Sequence, residues 1–182
     1  FSAGDHGDGY TRSVSHGWDF VEDDGDVTDC DGHGSHVAGT AAGRGVGVAK
    51  DANIVGVRIL NCDGDGRVSD AIAALDWVAD HHEKVGGPAV VVMSLGIVGP
   101  SQGSQMLERA TRSMVETYGV TVVVAAGNAQ LDSCEVSPAN VDGAITVAAT
   151  DIPTKYMRDG SSSGQAQEDV TYFWGNMGSC VD

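Results

Sequence analysis

A histidine set between glycines is the first residue of this chain whose surroundings suit chemistry. His33 stands in Asp31-Gly32-His33-Gly34-Ser35-His36, just ahead of a helix-forming stretch. The flanking glycines leave the imidazole uncrowded and let backbone approach closely, as a general base facing a cleft requires; a loop histidine capping a helix is the plainer account. Zinc at His33 and His36 does not follow, because no Glu accompanies them in an HExxH arrangement. His81 and His82 are adjacent near a helix end, where protonated histidine favours the dipole, and read as surface residues. Asn128 follows the apolar run VTVVVAAG. An amide placed where a buried strand meets a glycine can aim its NH₂ into a pocket and stabilise an oxyanion; a turn asparagine is the alternative. The stretch NCDGDGR (61–67) lacks the third alternating acid and the distant Glu of an EF-hand loop.

These residues need elements to hold them. Short β-branched or apolar runs predict strands at 53–60, 89–95, 120–126 and 144–150. Helical spacing predicts a helix at 69–85, with Ile72, Leu75, Trp77, Val78 and His82 near one stripe, Ser69 as N-cap and Gly86 as the stop. A second helix at 104–118 repeats Met106, Leu107, Ala110, Met114 and Val115 and ends at Gly119. A short helix spans 34–43 despite its glycines. The alternation implies right-handed crossovers and a parallel sheet, whose strand ends carry the site. Those ends read Ser94-Leu95-Gly96 and Ala126-Gly127-Asn128. There is no internal repeat. Residues 158–169 read as a surface loop rather than a linker, because the strand-like TYFW (171–174) follows.

The whole chain has 182 residues, enough for one domain with a real core. Its 41% hydrophobic and 20% charged residues exclude wholesale disorder. With 26 acids against 10 bases the formal charge is −16, which repels nucleic acid and anionic membranes alike. No apolar run approaches the roughly 20 residues of a membrane span. FSAGDHGDGY at the start has neither the basic nor the apolar region of a signal peptide. Cys30, Cys62, Cys134 and Cys180 are too spread for a metal knuckle. They fit two disulfides in any of three pairings, or four buried thiols. An acidic surface with an even cysteine count points to a secreted protein.

In order, DCDGHGSHVAGTAAG, GVAKDANIVGVRIL, VVVMSLG, VVVAAGN, SPANVDGAITVAAT and GSCVD resemble the subtilisin-like serine proteases, and within them the proteinase K branch with two disulfides. The resemblance runs from about Arg12 to Asp182. It implies an α/β, three-layer subtilisin-like fold, a central mostly parallel sheet flanked by helices, incomplete at both ends. It implies that His33 is the triad histidine and Asn128 the oxyanion-hole asparagine. Ser94, Leu95 and Gly96 correspond to one edge that pairs with substrate backbone, and Gly64, Asp65 and Gly66 to the other. Ala125, Ala126 and Gly127 correspond to a wall of the S1 pocket. The resemblance pairs Cys30 with Cys62 and Cys134 with Cys180. Asp182 with the backbone carbonyls of Asp142 and Ala144 corresponds to a structural Ca²⁺ site, and Asp19 with Asp24 to a second. Peptide or protein substrates, an inhibitory propeptide and a monomeric state are implied as well.

Two family elements are missing. Asp5 and Asp8 lie in a polar glycine-rich stretch without a strand, so the triad aspartate is expected about one to three positions before Phe1 by the family's motif order. The nucleophile segment Gly-Thr-Ser-Met-Ala is expected beyond GSCVD, since Ser161, Ser162 and Ser163 have no such context. The chain alone is therefore expected to be an inactive, single partial catalytic domain. Residues 151–176 are longer than the family's segment and replace its Phe-Ser-Asn-Tyr with Tyr172-Phe173-Trp174-Gly175-Asn176-Met177. A fragment of a secreted endopeptidase is the main expectation. A catalytically dead scaffold that binds peptide or propeptide is the alternative. A nucleotide-binding domain lacks any GxGxxG or P-loop after a strand.

Overall fold

The computed structural model of the chain describes residues 16–151 and 170–182. Asp5, Asp8, the serines at 161–163 and the loop expected at 158–169 lie outside the described residues. The chain forms two compact units, Phe1–Val78 and Ala79–Asp182, and is α/β throughout.

In the first unit, β1 (His16–Asp19) and β2 (Val55–Arg58) run parallel, with His16 opposite Val55 and Asp19 opposite Arg58. Their close approach requires Gly17, because a Cβ there would overlap the Gly56 carbonyl oxygen. Helix α1 (His33–Ala42) lies between them in sequence. The disulfide Cys30–Cys62 ties the approach to α1 to the chain beyond β2. Asp19 is fully buried, and a buried carboxylate needs partners. It ion-pairs with Arg58 and accepts the N–H of Val21 at 2.7 Å. Arg58 Nη2 also lies 3.4 Å from Cys30 Sγ.

Helix α2 (Val68–Val85) begins one residue before the expected cap. Ser69 is thus inside the first turn, its hydroxyl bonded to Asp70 rather than closing the helix end. Gly86, at φ 69°, ends the helix as expected. The buried stripe is Ala71, Ala74, Leu75 and Ala79, with Ile72 and Trp77 only half-buried. The buried positions are mostly alanines, so weighting bulky residues rotates the stripe. His81 and His82 are half-buried, not free surface groups.

The second unit is built on β3 (Val90–Met93), β5 (Thr121–Ala125) and β7 (Ile145–Val147), a parallel sheet with β5 in the centre. Val123 stands between Val92 and Ile145. One face buries Met93, Val122, Val124 and Thr146; the other leaves Val90, Val92, Ile145 and Val147 exposed. Helix α3 (Gln102–Glu116) packs on β5 and on β6 (Val136–Ser137). A reciprocal box starts it: Ser101 Oγ accepts the Ser104 N–H at 3.0 Å, and Ser104 Oγ accepts the Ser101 N–H at 2.7 Å. Its buried stripe is Ser104, Leu107, Thr111 and Met114, whereas Met106 faces solvent. β4 (Ile97–Val98) pairs antiparallel with β6, and β8 (Thr150–Asp151) with β9 (Val170–Thr171). Only Thr171 of the expected TYFW strand is therefore in a strand; Phe173 and Trp174 form a turn. The Cys134–Cys180 disulfide joins the second unit to its last residues.

Candidate active site

His33 is the first residue of α1 and is exposed. Gly32 precedes it in the left-handed region, at φ 100°, which a side chain there would resist. No side chain of Gly32 can cap the helix, and Asp29 takes over that role from outside. Asp29 Oδ1 accepts the Gly32 N–H at 2.8 Å, and its Oδ2 accepts the Ser35 N–H at 2.6 Å. Partial burial opposes ionisation of this carboxyl, but the Ser35 hydroxyl and the N–H groups of Gly32, Ser35 and Asp31 outweigh it. They hold the pKa at about 2. The His33 N–H donates to Asp31 Oδ2 at 3.1 Å. Two carboxylates thus accept the N–H groups of Gly32, His33 and Ser35 at the start of the helix and hold the backbone from which the imidazole projects.

In the same unit, Gly64, Asp65 and Gly66 form an exposed turn. Asn61 Oδ1 accepts the N–H of Asp63 and of Asp65, each at 3.0 Å, and the Asn61 N–H donates to the Asp65 carbonyl at 2.8 Å. A Cβ on Gly66 would collide with the Ile59 carbonyl, so this return of the chain needs glycine. Asp24 Oδ1 accepts the Asp26 N–H at 2.8 Å. Asp19, facing Arg58 and the backbone of Val21 and Glu22, already has donors on both oxygens.

In the second unit, Ser94, Leu95 and Gly96 lie outside the ladders, between β3 and β4. Ala125 ends β5 and Ala126 is fully buried, its N–H bonded to the Val147 carbonyl at 2.9 Å. Gly127 then turns at φ 102° and Asn128 emerges exposed. The structure therefore places Asn128 at the carboxyl end of the central parallel strand, where such sheets carry their sites. Two residues further along, Gln130 and Leu131 join Tyr172, Phe173, Gly175 and Met177 in lining a hollow of about 270 Å³. Asp182 Oδ2 accepts the Thr146 N–H at 2.8 Å and its own N–H donates to the Thr146 carbonyl at 3.0 Å. This sets Asp182 against the strand that follows Asp142 and Ala144. Among the described residues no three His, Cys, Asp or Glu side chains cluster as metal ligands. None of their helices is long and apolar enough to cross a membrane.

Three residues outside the expected set organise these loops: Asp29, Arg58 and Asn176. The turn rich in Asp around residues 29–31 signalled the first in part. Asn176 had only a glycine on one side as a signal, because its partners lie 45–50 positions away.

Residues 5–174 match the family model of the subtilases, peptidase S8. The chain is 44% identical over 171 residues to the alkaline serine exoprotease A of Vibrio alginolyticus, covering 94% of the chain and 28% of that protein. It is 45% identical over 156 residues to the extracellular serine proteinase of Thermus sp. strain Rt41A, covering 86% of the chain and 36% of that protein. A solved structure described as a cold adapted subtilisin-like serine proteinase superposes with a TM-score of 0.72 at 42% identity. That match covers 90% of this chain and 52% of the solved one. The chain thus spans about a third of the length of these two curated relatives, and half of the solved chain. It belongs to the subtilase family of serine proteases.

Proposed function

We propose that the chain is part of a secreted serine endopeptidase, in which His33 is the general base and Asn128 an oxyanion donor. The observation that carries this is Asn128 itself: exposed, at the end of the central strand, just past a left-handed glycine, while its neighbours are held by hydrogen bonds to a buried amide. The nucleophilic serine and the orienting aspartate are expected from the rest of the parent protein, so residues 1–182 alone are expected to be inactive. In the reaction, the serine hydroxyl attacks the peptide carbonyl as His33 takes its proton. The carbonyl oxygen becomes an oxyanion, to which the Asn128 amide donates. His33 then protonates the departing amine, and water releases the acyl group by the same route.

Ser94-Leu95-Gly96 and Gly64-Asp65-Gly66 would each pair with substrate backbone as a strand edge does, and the small residues Ala125, Ala126 and Gly127 would leave room for an apolar side chain. A monomer inhibited by its own propeptide completes the reading. A structural Ca²⁺ at Asp182 and the carbonyls of Asp142 and Ala144 suits a hard cation, since the donors are all oxygen. A cation at Asp19 and Asp24 would instead have to compete with the Arg58 guanidinium.

The test is the full-length gene product on a peptide p-nitroanilide substrate. His33→Ala should remove on the order of 10⁶ in kcat, and Asn128→Ala about 10²–10³, both magnitudes borrowed from a subtilisin. A full-length protein that binds peptides but does not cleave them would make the chain a recognition scaffold.

A further inference from the structure

We propose that Asn176 is a positioning residue, holding the backbone on both sides of Asn128 so that the oxyanion amide is aimed before substrate arrives. The inference rests on the reading of Asn128 given above and adds a residue to it. Asn176 is wholly buried, which a side-chain amide tolerates only when its donors and acceptor are satisfied. Here Oδ1 accepts the N–H of Ala129 at 2.8 Å and of Leu131 at 3.0 Å. Nδ2 donates to the Ala126 carbonyl at 2.8 Å. The backbone N–H of Asn176 donates to the Gly127 carbonyl at 2.9 Å.

One residue therefore grips positions 126, 127, 129 and 131. Asn128, between the gripped positions 127 and 129, is exposed. Its backbone is fixed while its side chain stays available. Gly127 belongs to the same device: a Cβ there would sit 2.5 Å from Asn176 Nδ2 and push the amide out. Two further bonds run parallel to the grip, from the Gln130 N–H to the Trp174 carbonyl at 3.3 Å and from Gln130 Nε2 to the Phe173 carbonyl at 3.0 Å. The amide is needed chemically, because it offers an acceptor and a donor at one end. A carboxylate would keep the two N–H partners but face the Ala126 carbonyl with a like partial charge. Oxyanion donors act only when placed within about half an ångström of the developing charge, and a misplacement of about 1 Å can cost on the order of 10² in rate.

The experiment is a double-mutant cycle in the full-length protein, with Asn176→Asp, Asn128→Ala and their combination. The concentration of active enzyme is fixed by active-site titration, so unfolded material does not count. Asn176→Asp is expected to lower kcat about 10–100-fold with KM changed less than about threefold. In the Asn128→Ala background the same substitution should change kcat less than about threefold, because no amide is left to misplace. Equal losses in both backgrounds, or no loss in either, overturn the positioning role and leave the reading of Asn128 intact. An Asn128→Ala variant with full kcat overturns that reading, and the inference with it. If Asn176→Asp gives no titratable enzyme, Asn176→Ser enters the same cycle, with the same outcomes deciding.

Discussion

Asp29 shows how one residue can couple acid stability to the place of the proposed general base, His33. Its carboxylate stands at the N-terminal end of α1, which begins with His33, and its pKa falls from 3.8 to about 2 in the folded protein. A depressed carboxyl pKa adds stability that is fully present above the unfolded value. That stability is lost as pH falls through the folded value, a window from about pH 4 down to 2. The substitution Asp29→Asn removes the charge and should weaken this helix start by about 0.3–1 kcal/mol near neutrality, the usual scale of a carboxylate at a helix N-terminus. Melting temperatures of this variant and the parent should converge below pH 2; a constant gap down to that pH would refute the coupling. His33 and Asn128 could be proposed from the sequence because each sits in a motif of near neighbours. Asp29 was signalled only in part, by its Asp-rich turn, and Asn176 was not, because its partners lie 45–50 positions away and meet it only on folding.

At the scale of elements, periodicity located the helices and strands well and their faces less well. Helix α3 is the instructive case. Its sequence offers Met106 and Leu107 side by side, and only the register against β5 and β6 decides between them. Leu107 is fully buried and Met106 is 55% exposed, while the polar Ser104 and Thr111 share the buried stripe. Leu107→Ala should therefore cost about 2–5 kcal/mol, and Met106→Ala within about 0.5 kcal/mol of nothing. Urea unfolding of the two variants in the full-length protein measures both, and similar losses would contradict the assigned face. Ser104 was a poor candidate for burial on hydropathy. Its hydroxyl is spent on the Ser101 N–H, which makes the burial inexpensive. The disulfide partners show the opposite balance: counting allows three pairings, and only the family resemblance chose between them before the structure joined Cys30 to Cys62 and Cys134 to Cys180.

For the whole molecule, the net charge of −16 sets a condition that the local geometry does not. A chain so acidic gains from bound cations, which reduce its self-repulsion as well as closing particular loops. Asp182, held to Thr146, is the residue proposed above to bind such a cation. Removing calcium with a chelator should lower the melting temperature of the full-length protein, by an amount corresponding to about 2.7 kcal/mol if the ion was at 100 times its Kd. Asp182→Ala should melt lower and no longer respond. An unchanged melting temperature on chelation would remove the site. The sheet adds a second global condition. Parallel strands are usually covered on both faces, yet Val90, Val92, Ile145 and Val147 leave one face of β3 and β7 open to solvent in this chain. That exposure accords with a chain spanning about a third of its curated relatives, and no periodicity in the strands could have distinguished the open face from the covered one.

The antiparallel pairing of β8 with β9 has a consequence for how variation in the chain is contained. Thr150 meets Thr171 and Asp151 meets Val170, so the chain leaves for residues 152–169 and comes back at a stitched pair. After that pair, the Tyr172 N–H donates to the Ala149 carbonyl at 3.0 Å and the Gly175 N–H to the Tyr172 carbonyl at 2.8 Å, which sets the register of Gly175 and Asn176. A change in the length of residues 152–169 is therefore expected to leave the Thr150–Thr171 pairing, and with it the proposed aim of Asn128, in place.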